Sequence, residues 1–272
     1  MLAYGDVDDA TRRLLTPEGL PRAAAYDLDW QVVNAMGPNP IWLAEHLCQV
    51  MELRPGMRVL DLGCGRAASS IFLARELGVQ VWAADLWIAP TANRERIDGA
   101  GLSDRVFPLH AEAHALPFAH EFFDAIVSLD AYHYFGTDGL YLSTCVRHLR
   151  PGGTLGIVVP GTTTELGDDV PAHLAAVFSG SDLATFPTPA WWRRHWARTG
   201  LVDVLHADNV PGGAVLWLRW AEGCLAYGRA SGRWPQGPPQ MEREVEHRRI
   251  IEMLRADGGR TLGFSRVVAR RR

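Results

Sequence analysis

The chain has 272 residues, 47% of them hydrophobic, with 31 acidic side chains against 27 basic ones and a formal net charge of -4. That length and apolar content can bury a sizeable core in one large or two small domains, and the slight acidity argues against a general nucleic-acid surface. Every one of the 27 basic residues is Arg, so Schiff-base chemistry and a P-loop NTPase, each of which needs a lysine, are excluded too.

In chain order, residues 1–30 carry no strand pattern and are expected to form a helical arm over a cleft; the whole arm is assigned to 1–56. The breaker cluster 34–40 precedes a helix from residue 41 to about residue 53, whose Ile41, Leu43, Leu47 and Met51 make a helical apolar stripe. Strands and helices then alternate: strand 57–61, helix 67–77, strand 79–84, helix 91–100, strand 105–109, strand 124–129, helix 137–149 and strand 154–159. Strands that are apolar on both sides and joined by helices predict a parallel sheet covered on both faces, here with a core at 57–160. Residues 161–190 break the pattern and read as a lid of short helix and loop. The stretch 191–272 completes the chain, with helix 189–199 leading into strand 201–207, then helices 213–229 and 239–257 around a Gly/Pro-rich breaker run, and a last strand 262–269. The terminal Arg270-Arg271-Arg272 reads as a solvated tail.

The densest signal is Val59-Leu60-Asp61-Leu62-Gly63-Cys64-Gly65. A short buried strand there delivers an acid, and two glycines let the backbone turn tightly and approach a ligand closely. The helix that follows points its amino-terminal N–H groups at the same cleft. Asp85 closes the next strand. Gly63 to Ala68 also satisfies G-x-G-x-x-A with Asp85 about twenty residues downstream, the pattern of a dinucleotide site. A carboxylate directly before the glycines would repel a pyrophosphate but attract an ammonium, so Asp61 speaks against a dinucleotide and for an amino-acid-bearing ligand.

This loop resembles that of class I S-adenosylmethionine-dependent methyltransferases of the small-molecule type. Further along, the resemblance rests on Ala111-Glu112-Ala113-His114-Ala115-Leu116-Pro117-Phe118, on Phe122-Phe123-Asp124 opening the fourth strand, and on the Leu149-Arg150-Pro151-Gly152-Gly153 turn. It covers residues 36–160 with specific motifs and the remainder more weakly. It implies a Rossmann-like α/β fold, a seven-stranded doubly wound sheet of order 3-2-1-4-5-7-6 with the seventh strand antiparallel. It also implies S-adenosylmethionine as cofactor and S-adenosylhomocysteine as product. Asp61, Gly63 and Gly65 would line the methionine half, Asp85 would accept from the ribose hydroxyls, and Leu86, Ala113 and Ser128 would flank the nucleoside. Glu112 would accept from the adenine amino group, standing where the family has an Asp, one methylene shorter.

Acceptor residues are expected at the carboxyl ends of strands. The segment Ser128-Leu129-Asp130-Ala131-Tyr132-His133-Tyr134 lies there and resembles the S-x-D-A segment of phosphoethanolamine and sarcosine-type methyltransferases. On that resemblance Asp130 orients the acceptor and His133 removes its proton; the plainer alternative is that His133 caps a loop. Tyr132, Tyr134 and His195 are further candidates, and Trp191 and Trp192 either fill the core or wall the acceptor. The reaction expected is methyl transfer to nitrogen or oxygen of a small metabolite. Two rivals stand beside it: carbon or cyclopropane-type chemistry on a lipid, and a catalytically silent cofactor-binding protein.

The four cysteines are far apart, without metal or disulfide spacing, so they are read as reduced thiols and no metal site is expected. No amino-terminal apolar segment and no run of eighteen apolar residues appears, which leads to the expectation of a cytoplasmic protein without a membrane span, whose partner is a small-molecule acceptor and not a nucleic acid. The oligomeric state is left open.

Overall fold

In the computed structural model, residues 7–167, 170–175, 177–234 and 240–272 are described. Parts of the expected arm (1–6), of the lid (168, 169 and 176) and of the breaker run with the first residue of the helix after it (235–239) lie outside the described residues.

Seven strands form one sheet: β1 (Arg58–Leu62), β2 (Gln80–Asp85), β3 (Val106–His110), β4 (Phe123–Leu129), β5 (Leu149–Thr162), β6 (Val202–Asn209) and β7 (Leu262–Arg271). Their order is β3-β2-β1-β4-β5-β7-β6. The first five run parallel, and β7 is antiparallel to both β5 and β6, as the resemblance implies. The order in which strands are added reverses at β1, with β2 and β3 to one side and β4 and β5 to the other, so a crevice opens at the carboxyl end of β1.

The helices are α1 (Asp9–Leu15), α2 (Leu28–Asn34), α3 (Pro40–Cys48), α4 (Ala68–Leu77), α5 (Pro90–Gly99), α6 (Tyr141–Val146), α7 (Gly180–Ala184), α8 (Pro189–Ala197), α9 (Gly213–Ser231) and α10 (Gln240–Asp257). One face of the sheet packs Val59, Val81, Val127 and Phe264 against α3, α4 and α9; the other packs Leu60, Ile126, Leu155 and Val267 against α6 and α8. Neighbouring residues of one strand thus enter different cores, which is the period-two rule of a pleated strand buried on both sides.

Several boundaries differ from the sequence reading. The helix predicted over 137–149 is only α6, because Leu149 already pairs with Phe123 and begins a 14-residue β5. The helix predicted to reach residue 53 stops at Cys48. α1 packs on α9 and not over the cleft; the arm reaches the cleft through the turn between α2 and α3. The terminal arginines are not a loose tail: Arg270 pairs with Thr154 and Asp203 across the sheet, Arg271 meets Glu121 at 3.1 Å, and Arg272 meets Asp203 at 2.7 Å.

Candidate active site

A cleft of about 340 Å³ opens at the carboxyl ends of the central strands, its walls including Gly63, Gly65, Asp85, Leu86, Ala113 and Asp130. Two of these walls are made by the loops after β1 and β2. Gly63 and Cys64 donate their N–H groups to Ala84 O at 2.9 and 3.1 Å, and Gly63 and Gly65 take positive φ of 76° and 53°, a conformation that favours glycine. Asp85 then locks the turn. Its Oδ2 accepts from Gly65 N at 2.7 Å, and its Oδ1 accepts from Trp87 N and Ile88 N at 2.8 and 2.9 Å. The acid is therefore anchored by three backbone donors and still faces the cleft.

Asp61 behaves differently from expectation. The strand pleat turns it to the α4 face, fully buried, where Ser69 and Ser70 of the first helical turn donate to Oδ2 at 2.6 and 2.7 Å. Burial pushes its carboxyl up to about 6, against the two serine hydrogen bonds. Its Oδ1 is buried with no partner, and Ser69, not Asp61, faces the cleft. Ser128 is also withdrawn: it is buried in β4 and ties that strand to β1 by donating Oγ to Leu62 O at 2.7 Å. At the far wall Glu112 lines the cleft but is already engaged by His114, through its N–H at 2.9 Å and Nδ1 at 2.7 Å. The bond to the His114 side chain is the main reason its carboxyl sits below the usual range. Arg66, next to Gly65, lines the same cleft with Nε buried and unpartnered; burial, then the nearby Arg96, draws its guanidinium down to about 10.

The side of the cleft where acceptor residues are expected is built by the loop after β4. Asp130 has a positive φ of 53°, which costs about 1–2 kcal/mol for a residue with a Cβ. Its N–H is held by Val158 O at 2.9 Å. Apolar surroundings push its carboxyl up to about 8, and no side chain among the described residues donates to it. The 3-10 turn that follows, Tyr132–Tyr134, sends successive side chains about 120° apart. Tyr134 faces the cleft mouth, 60% exposed, edge-on to Trp87 with ring centroids 5.8 Å apart. Burial and the charge of Asp130 hold its hydroxyl protonated, pushed up to about 12.

The other members of the expected set are not brought to the cleft. Tyr132 is fully buried among Tyr141, Trp192 and Trp196. His133 is 1% exposed, with its ring 4.0 Å from that of Tyr134 and 5.5 Å from Phe186. Its Nδ1 has no partner, and burial pulls it down to about 4, which leaves it neutral at pH 7. Trp192 is core, and Trp191 stacks on His195 at 4.3 Å on the β6 side of the sheet. Trp191 instead borders a separate cavity of about 320 Å³ under the 162–191 segment, with Glu165 and Phe186. Residues that sequence reasoning missed are Met36, Gly37, Pro38, Arg66, Trp87 and Phe135. The breaker cluster signalled a turn at 36–38, but nothing local in it says that the turn roofs a cleft.

The order of the seven strands, with the last one antiparallel, and the cleft at the carboxyl end of β1 resemble those of class I S-adenosylmethionine-dependent methyltransferases. Residues 59–153 match the protein family described as "Methyltransferase domain". The chain is 33% identical over 136 residues to methyltransferase GfsG of Streptomyces halstedii, covering 47% of this chain and 48% of that protein. It is 30% identical over 175 residues to erythromycin 3''-O-methyltransferase of Saccharopolyspora erythraea, covering 60% and 56% respectively. The chain spans about half the length of the curated relatives it matches. The crystal structure of a SAM-dependent methyltransferase from Geobacter sulfurreducens in complex with S-adenosyl-L-homocysteine superimposes with a TM-score of 0.65, covering 91% of this chain and 99% of that one, at 19% identity. At that identity the likeness speaks for the fold alone. Among the described residues no helix is long and apolar enough to cross a membrane.

Proposed function

We propose that the chain moves the methyl group of S-adenosylmethionine to a nitrogen or oxygen of a small-molecule acceptor, leaving S-adenosylhomocysteine and a proton. The observation that carries the reading is the division of one cleft: a backbone-anchored Asp85 with apolar Leu86 and Ala113 on one side, and an unpaired Asp130 on the other. The cofactor residues fit by their chemistry. Asp85 offers acceptor oxygens to a diol, Leu86 and Ala113 offer apolar walls to a purine, and Glu112 keeps acceptor capacity for an exocyclic amine. Arg66 supplies a cation for a carboxylate. The orphaned Oδ1 of Asp61 lies one serine behind the cleft, so it acts on an ammonium through its field and through Ser69.

When bound, the cofactor supplies an electrophilic methyl carbon on a sulfonium. The protein's own work is then to place a lone pair in line with that carbon and to handle a proton. Asp130 is the group that meets the acceptor and takes its proton. A carboxyl poised near 8 holds a proton firmly, so the part of Asp130 that is ionised near neutral pH is an effective base, while a histidine near 4 that is walled off by Tyr134 and Phe186 is poorly placed to be one. His133 is assigned to setting the Tyr134 ring. Tyr134 and Trp87 form the wall that the acceptor slides along.

The test has two arms. Calorimetry with S-adenosylhomocysteine should give a one-site isotherm, with NAD failing to compete. Incubation with methyl-labelled S-adenosylmethionine and a total metabolite extract should give a labelled product, lost in Asp130→Asn. Tighter binding of NAD would overturn the cofactor assignment. Cofactor binding with no labelled product in any extract would favour a catalytically silent binding protein.

A further inference from the structure

Asp130 faces no hydrogen-bond donor among the described residues, yet its carboxylate is tightly boxed in. A Cβ placed on Gly37 would lie 2.4 Å from Asp130 Oδ2, closer than two such atoms can approach. Gly37 has no positive φ, so space and not backbone conformation requires a glycine here. The same turn touches the cofactor loop: Met36 Sδ lies 3.1 Å from where a Cβ on Gly65 would sit. Residues 36–38 therefore bridge the acid to the loop that follows β1.

What holds that turn comes from elsewhere in the chain. Asn39 caps α3 by accepting from Ile41 N and Trp42 N, and donates Nδ2 to Gln31 Oε1 at 2.8 Å, which pins the turn to α2 and α3. The carbonyl of Gly37 itself accepts from Trp220 Nε1 at 2.9 Å. Trp220 is buried in the middle of α9, edge-on to Trp42 at 5.3 Å. Trp42 is as deeply buried as Trp220, but its own Nε1 has no partner. The indole N–H of Trp220 is thus spent on one carbonyl, and that carbonyl belongs to the residue pressed against Asp130.

We infer that Trp220 and Gly37 are positioning residues for Asp130: the hydrogen bond from α9 fixes the 36–38 turn, and the turn fixes the carboxyl group at the acceptor end of the cleft. The inference rests on the proposed role of Asp130 and extends it to a helix 90 positions away in sequence. Trp220 acts through Gly37, and neither needs to touch the acceptor. Trp220→Phe keeps the ring and removes the donor, whereas Gly37→Ala keeps the donor and pushes on the carboxylate.

The experiment follows Asp130 itself, by carbon NMR of the protein labelled at aspartate carboxyl carbons, with Asp130→Asn assigning the signal. Trp220→Phe and Gly37→Ala should each lower its titration midpoint by about one unit as water reaches the group. S-adenosylhomocysteine binding is measured beside it, and a one-site isotherm in each variant shows that the cleft is still assembled. Trp42→Phe is the control, because it removes a neighbouring indole N–H that bonds to nothing. An unmoved midpoint in both variants overturns the inference, as does an equal shift in Trp42→Phe. Failure of the methyltransferase reading shows separately, as absence of S-adenosylhomocysteine binding by the unsubstituted protein.

Discussion

Asp85→Ala should damage the fold and the cofactor site by separable amounts. The carboxylate accepts three backbone N–H bonds, from Gly65, Trp87 and Ile88, at 2.7 to 2.9 Å. On truncation these donors border an open cleft, so water replaces the lost acceptor and each bond costs its net value of about 1 kcal/mol instead of a full desolvation penalty. The sum is about 3 kcal/mol, and at roughly 2–4 °C per kcal/mol for a chain of this size the melting temperature should fall by about 6–12 °C. Loss of the acceptor for a ribose diol adds roughly 1.5–3 kcal/mol to the binding step, a tenfold to somewhat more than hundredfold weaker S-adenosylhomocysteine complex. Calorimetry measures the second quantity, and melting with and without saturating ligand measures the first. A lower melting temperature with affinity within threefold of the unsubstituted protein would leave Asp85 as a loop anchor and refute its role toward the ribose.

Three further outcomes follow from the same geometry. Asp130 and Asp61 have carboxyls raised to about 8 and about 6 in the fold, above the ordinary 3.8, so the native state holds their protons where the unfolded chain has lost them. Their contribution to stability therefore declines from about pH 4 to 8 for Asp130 and from about pH 4 to 6 for Asp61. Asp130→Asn should flatten the decline between pH 6 and 8 in urea unfolding, and parallel profiles for the two proteins would remove the buried-acid reading. His133→Ala should keep S-adenosylhomocysteine affinity and lower label transfer by less than about tenfold, against roughly 10²-fold or more for Asp130→Asn; the reverse ranking would restore His133 as the base. The described part of the segment expected as a lid is better anchored than its composition suggests, with Leu174, Leu183 and Phe186 buried and His173 bound to the buried Asp257 at 2.8 Å. His173→Ala should speed thermolysin cleavage within 163–182 severalfold, and unchanged cleavage rates would show that this hydrogen bond anchors nothing.

The half of the cleft proposed for the cofactor was legible because it is local. Strand, acid, glycine turn and helix follow one another within residues 58–77, and Asp85 closes the adjoining parallel strand, so spacing alone puts the pieces together. Errors there came from the pleat: period two turns Asp61 to the α4 face, and Ser128 is held inside the sheet by Leu62 O. The acceptor half was less legible because a 3-10 turn separates neighbours that look alike in sequence. Tyr132, His133 and Tyr134 go to the core, to Phe186 and to the cleft. For Trp191 and Trp192 the sequence left core and acceptor wall open, and for His195 it offered the cleft, because helical spacing could not say which surface the face of α8 meets. It meets the sheet beside β6, where Trp192→Ala should cost about 3–5 kcal/mol in packing and nothing in chemistry.

Three close approaches join the halves of the cleft, and each uses a glycine. A Cβ on Gly63 would sit 2.4 Å from Ala131 Cβ, one on Gly65 3.1 Å from Met36 Sδ, and one on Gly37 2.4 Å from Asp130 Oδ2. The loop after β1 therefore touches the loop after β4 and the α2–α3 turn, and that turn touches the acid of the β4 loop. Packed interiors respond to displacement by repacking and not by stretching, so a change at any of the three contacts is felt at the other two. The contacts differ, however, in what they carry. Gly63 and Gly65 are held by Ala84 and Asp85, both at the end of β2, whereas Gly37 is held from α9, outside the 59–153 match. On the proposed function a change of acceptor can therefore enter through residues 36–38, 130–135 and 220, of which the first and the last lie outside the 59–153 match.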